Sequence, residues 1–172
     1  LSIYFDLPMD DLIYSIESAE KSLILSLENQ LSELSVLQGS LEIFGRHIGI
    51  KKKGVFEINI VLDEIITNII SYGYNDKRKH VINVKITFYK QSSLIIYVED
   101  DGVPFNLIES KDPDLESPIE KRDVGGMGIY IIKHYINDIA YIRKENKNII
   151  KIKKNMGKKE LVNKKKGEYE VL

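Results

Sequence analysis

Glu64 and Asn68 stand four residues apart in an apolar stretch, Asp100 and Asp101 close another and are followed by Gly102, and Gly125, Gly126, Met127 and Gly128 open a third. Residues four apart share one face of a helix, so Glu64 and Asn68 project side by side, with Thr67 and Ser71 extending the same polar stripe. A carboxylate beside an amide oxygen supplies hard oxygen ligands or orients metal-bound water, and Mg²⁺ usually completes its shell with waters and phosphate oxygens. Glu64 can also accept a proton from a hydroxyl or water held within hydrogen-bond reach. Hydrogen bonds to neighbouring backbone are the plainer use of the same pair.

A carboxylate at a strand end, such as Asp100, can accept a hydrogen bond from an adenine amino group, and its charge strengthens that bond. Gly102, without a Cβ, lets backbone and base approach closely. Taken alone, Asp-Gly after a strand is a turn. Glycines preceding a helix leave unpaired N–H groups and the positive end of the helix dipole facing outward, which suits an anion. A flexible hinge is the competing reading for that cluster, and Lys121 and Arg122 just upstream are positioned to approach a terminal phosphate or to stand in solvent. In this order the three strings describe a pocket for an adenine nucleotide with a metal ion.

The elements that would carry them follow from periodicity. Residues 22–27 read as a strand, and Leu34, Leu37, Leu41, Phe44 and Ile48 recur at helical spacing over 32–48. After the basic turn at 51–54, residues 55–71 are apolar on most of a helical circumference, which predicts a buried helix. Ile82, Val84, Ile86 and Phe88 alternate with polar residues, and residues 94–99 follow a polar turn, so the two form an antiparallel hairpin ending at a sheet edge. Residues 102–123 contain Pro104, Pro113 and Pro118 and have the length of a functional or mobile loop, a candidate lid. A helix over 127–137 and a hairpin turning at Glu145-Asn146-Lys147 complete an α+β two-layer domain with a mixed or antiparallel sheet and helices on one face. Residues 1–21 are unassigned, 22–154 form the domain, and 155–172 read as a solvated Lys-rich tail.

With 172 residues, 43% of them hydrophobic, the chain has material for one core. A net charge of -1 offers no general attraction to nucleic acid or anionic lipid, and no apolar run approaches the roughly 20 residues of a membrane helix. The absence of cysteine excludes disulfides and thiolate metal sites and, with no signal-like start, favours the cytoplasm. The first residue is Leu rather than Met, as in a piece of a longer chain. His47, His80 and His134 are scattered and suit no metal site, and they read as ordinary surface or half-buried residues.

Glu64 to Asn68, Asp100 to Pro104, and Gly125 to Gly128 resemble the N, G1 and G2 boxes of the GHKL (histidine kinase-like) ATPase superfamily, whose fold is the Bergerat type. Val98 to Asn106, Asp112 to Glu116, Val124 to Lys133 and Asn148 are similar to the branch of anti-sigma factor serine/threonine kinases. The resemblance covers roughly residues 22–154. It implies that Asn68 holds Mg²⁺, Glu64 is the general base, Asp100 recognises the adenine of ATP, and residues 125–128 belong to the lid. It also implies γ-phosphate transfer to a serine of an anti-anti-sigma (STAS-domain) partner, control of a sigma factor by partner switching, and a homodimer. Tyr72 stands where many members have histidine, and Pro104 replaces a glycine. A noncatalytic ATP-sensing interaction module is the alternative. A histidine kinase fragment is disfavoured, because no phospho-acceptor histidine lies in a dimerisation helix.

Overall fold

Alternating β-branched residues produce a five-stranded sheet in the order β1-β2-β3-β5-β4, with every neighbouring pair antiparallel. The computed structural model describes residues 19–89, 93–106, 108, 127–157, 160 and 161. Its strands are β1 (Ala19–Glu28), β2 (Val81–Tyr89), β3 (Ser93–Asp100), β4 (Asp138–Lys144) and β5 (Lys147–Asn155). Its helices are α1 (Glu33–Ile48), α2 (Lys52–Tyr72) and α3 (Met127–Tyr135). None of them is long and apolar enough to cross a membrane.

One sheet face meets the helices. Ile82, Val84, Ile86, Leu94, Ile96, Val98, Ile150 and Ile152 project from it into a single core with Leu37 and Leu41 of α1, Leu62, Ile65 and Ile66 of α2, and Ile129 and Ile132 of α3. Each such side chain contributes about 1.5–3 kcal/mol by leaving water, so this layer supplies most of the stability. A buried ion pair crosses it: Lys154 Nζ donates to Glu57 Oε2 at 2.9 Å and to the Tyr135 carbonyl at 2.7 Å, fastening β5 to α2 and to the end of α3. The last hairpin turns on Glu145 and Asn146, both at positive φ, as a two-residue turn between twisted strands requires.

Five expectations need correction. β3 is the central strand, so Asp100 ends in the middle of the sheet and not at its edge. Strand β1 begins at Ala19, and α2 begins at Lys52, inside the lysine run read as a turn, because three unpaired N–H groups at a helix start tolerate a polar, solvated first turn. Helix α2 is buried along one stripe only, with Phe56 62% exposed. The supposed solvated tail starts inside the fold: Met156 is buried, Leu161 bridges Ile50, and the Lys51 N–H donates to the Glu160 carbonyl at 2.7 Å.

Candidate nucleotide site

Strand register assembles one half of the site. Asp100 pairs across β3 and β5 with Asn148, which pairs across β5 and β4 with Arg143. The three side chains share the face that carries the core, at one end of the sheet. Asp100 and Asn148 are both only 3% exposed. Asp100 Oδ1 accepts from the Gly102 N–H at 2.8 Å and from Asn148 Nδ2 at 2.8 Å. Asn148 Nδ2 also donates to the Val103 carbonyl at 3.0 Å, while its Oδ1 accepts from Tyr141 Oη at 2.7 Å and Arg143 Nη1 at 2.8 Å. Arg143 can only donate and an ionised Asp100 only accepts, so the Asn148 amide has one workable orientation. Arg143 Nη1 reaches on to the Gly102 carbonyl at 2.9 Å.

Burial pushes the Asp100 carboxyl above its ordinary pKa, opposed by the bonds from Asn148 and Gly102. A Cβ on Gly102 would collide with the Gly73 carbonyl and come within 2.8 Å of Asp100 Oδ1, so the turn after β3 closes only around glycine. The same Gly73 carbonyl accepts from the Val103 N–H at 2.7 Å, tying this turn to the end of α2.

Helix α2 supplies the other half. Asn68 Nδ2 donates to Glu64 Oε1 at 2.6 Å and to the Glu64 carbonyl at 2.7 Å, which commits the amide hydrogens to Glu64 and leaves Oδ1 as the outward group. A Cβ on Gly128 would fall inside the Glu64 carboxylate, so the start of α3 lies directly against this side chain. Between the halves lies a narrow cleft lined by Ile65, Asn68, Ile69, Gly73, Asp100, Phe105, Asn148 and Ile150. It has apolar walls, with one carboxylate and two amides directed at it.

Asn68 and Asp100 thus line one cleft, with Glu64 hydrogen-bonded to Asn68, Gly128 packed against Glu64 and Gly102 bonded to Asp100. Arg122, Gly125 and Gly126 lie outside the described residues, as do Lys121 and most of the expected lid, and Met127 opens α3. Tyr72 is exposed, its ring 6.3 Å from that of Phe105.

Residues 27–154 match the family model of the histidine kinase-like ATPase domain. The chain belongs to that family. The serine-protein kinase RsbW of Oceanobacillus iheyensis is 26% identical over 110 residues, covering 62% of this chain and 69% of the relative. The protein of the same name from Bacillus thuringiensis is 25% identical over 125 residues, covering 70% and 76%. A crystal structure of the RsbU and RsbW domains of Rv1364c from Mycobacterium tuberculosis superposes with a TM-score of 0.57 at 13% identity, covering 79% of this chain and 32% of that one, and supports the fold. This chain thus spans about a third of that solved chain.

Within this ATPase domain, some residues at the site escaped the sequence reading. Tyr141 and Arg143 brace Asn148, and only the β3–β5–β4 register brings them there. His80, read as ordinary, is held between two carboxylates: Nε2 lies 2.9 Å from Asp76 Oδ1 and Nδ1 lies 3.0 Å from Asp101 Oδ1. Asp76 and then Asp101 raise the His80 pKa, while His80 and Arg78 hold the Asp76 carboxyl well below its usual range. Tyr74 stacks on the His80 ring at 4.2 Å, and burial, followed by Asp100 and Asp101, pushes its phenol pKa up. No local spacing of histidine and acids signals this cluster.

Proposed function

We propose that this chain binds ATP with Mg²⁺ and acts as a serine/threonine-protein kinase of the anti-sigma type, transferring the γ-phosphate to a STAS-domain partner and controlling a sigma factor by partner switching. The observation that carries the reading is that Asn68 and Asp100 line one apolar cleft, with Glu64 hydrogen-bonded to Asn68 and Gly128 packed against Glu64. The names of the relatives support the activity.

The donor set suits the ligands. Asp100 offers an acceptor to the adenine amino group, Gly102 admits the base, and Ile65, Ile69 and Ile150 provide the apolar walls a purine needs. Asn68 Oδ1 would hold Mg²⁺, which needs only one or two protein oxygens when phosphates supply others, and which would offset phosphate charge. N–H groups at the start of α3, with Gly125, Gly126, Met127, Gly128 and Arg122, would receive the phosphates. Glu64 then takes the hydroxyl proton of the partner serine as the serine oxygen bonds to the γ-phosphorus and the bond to the β–γ bridging oxygen breaks. Phosphoryl transfer depends mainly on such positioning and charge neutralisation.

The alternative is a noncatalytic ATP-sensing module. It draws on the short Asn68–Glu64 bond, which occupies one oxygen of the would-be base. Glu64→Gln decides between them. In the kinase, this variant retains ATP binding by calorimetry but loses transfer of labelled phosphate to a STAS partner by roughly 10²–10⁴-fold, the usual contribution of a general base. Absence of transfer by the unaltered chain to every STAS partner that it binds would establish the module instead.

A further inference from the structure

Residues 73–80, which link α2 to β2, grip the turn after β3 at two points. The Gly73 carbonyl, beside the cleft, accepts from the Val103 N–H at 2.7 Å, and the His80 ring meets Asp101. The backbone of His80 is itself fixed to the end of β1: its N–H donates to Asn29 Oδ1 at 3.0 Å and its carbonyl accepts from the Asn29 N–H at 3.1 Å. Asp101 stands between Asp100, which lines the cleft, and Gly102, whose N–H bonds to the Asp100 carboxylate at 2.8 Å. Whatever holds Asp101 therefore holds the turn.

The His80 ring is arranged for its charged form. Nε2 lies 2.9 Å from Asp76 Oδ1 and Nδ1 lies 3.0 Å from Asp101 Oδ1. Ionised carboxylates only accept and a neutral imidazole has a single N–H, so only the doubly protonated ring satisfies both contacts. The Tyr74 ring, stacked at 4.2 Å, also favours the cation. On losing a proton the ring must give up one carboxylate. Asp76 is pinned by the Arg78 N–H at 2.9 Å and Arg78 Nε at 2.7 Å, whereas the Asp101 side chain is 55% exposed and can turn to water. The neighbouring charges are matched elsewhere, Glu28 at the end of β1 with Lys79 at 3.0 Å, and Arg143 on β4 with the Gly102 carbonyl and Asn148.

We propose that His80 is a positioning residue for the nucleotide site: its imidazolium, held on Asp76, fixes Asp101 and so sets the Asp100–Gly102 turn against the adenine, and loss of the ring proton frees that turn and weakens ATP binding. This rests on the nucleotide reading of the cleft. Asp76 and then Asp101 raise the His80 pKa above about 6.5, so the grip is complete at lower pH and is lost as pH rises through the raised value. Asp100 gives the opposite sign. Its carboxyl is pushed up by burial, and it becomes a stronger acceptor as rising pH ionises it.

Calorimetric titration of the full chain with ATP and Mg²⁺, from about pH 6 to about pH 9 and so below the tyrosines and lysines, reads the coupling. The affinity of the unaltered chain relative to His80→Gln falls about fivefold across this window, the low end of couplings between sites, and the ionisation of ATP itself cancels in the ratio. Asp101→Asn has an amide that donates to an unprotonated Nδ1 and so keeps its grip throughout. The unaltered chain falls relative to this variant by the same factor. Should His80→Gln fail to fold, Asp101→Asn decides alone. A pH profile of the unaltered chain that either folded variant reproduces overturns the role of His80 and leaves the nucleotide reading standing. Absence of ATP binding at every pH overturns both.

Discussion

The two ends of the cleft are built differently. At the Asp100 end, Asp100, Asn148, Arg143 and Tyr141 form a network in which Asn148 alone makes four short hydrogen bonds, drawn from three strands and the turn after β3. At the Glu64 end, Glu64 and Asn68 hold each other along one helix, and Gly128 closes against Glu64 without a side chain. Under the proposed function, a rigid base would sit at the end preorganised by the core, while phosphates and a serine, which must enter and leave, would meet the helix face and the start of α3.

The largest effect should come from removing charge at the braced end. Asp100→Asn keeps an oxygen for Gly102 but loses the charged acceptor, and ATP affinity by calorimetry should fall by about 10- to 100-fold, the 1.5–3 kcal/mol of a charge-assisted bond. Unchanged affinity would remove Asp100 from the adenine site. Next, Asn148→Ala leaves Tyr141 Oη without the Asn148 oxygen and strips the buried Asp100 of one of its two hydrogen bonds, and should cost about 1–3 kcal/mol, near 2–4 °C in Tm per kcal/mol for a chain of this size. Asn68→Ala, at the loose end, should leave Tm within about 2–4 °C while abolishing the Mg²⁺ dependence of ATP binding. A larger loss of Tm than in Asn148→Ala would break the contrast between the ends.

The smallest effect concerns pH. Asp76 and Asp101 raise the His80 pKa above the unfolded value of about 6.5. The protonated ring therefore stabilises the fold fully below that pH, and the contribution is lost as pH rises through the raised folded pKa. His80→Gln should flatten the decline of Tm as pH rises above about 6.5, scanned by thermal denaturation. An unchanged slope would show that the Asp76–His80–Asp101 cluster does not brace the turn after β3.

Much of this contrast was legible beforehand. The Glu64 end lies on one helix, where a four-residue spacing fixes which side chains meet, so Glu64 and Asn68 could be paired from the sequence alone. Asp100 and Gly102 were legible as a strand end and its turn. Asn148 was visible only through resemblance, and Tyr141, Arg143 and His80 were missed, because Tyr141 and Arg143 act through Asn148, which meets Asp100 only by pairing β5 with β3, and His80 meets Asp101 from another segment.

Periodicity determined the strands, the helices and the antiparallel final hairpin, since alternation and four-residue spacing are local consequences of backbone geometry. The order of the boxes determined the family. Tertiary structure alone decided that β3 lies at the centre of the sheet, that Met156 and Leu161 belong to the fold, and that Asp100 is buried among hydrogen-bond donors. Strand order and register are set by which apolar faces bury together, and that choice is made by the whole core at once.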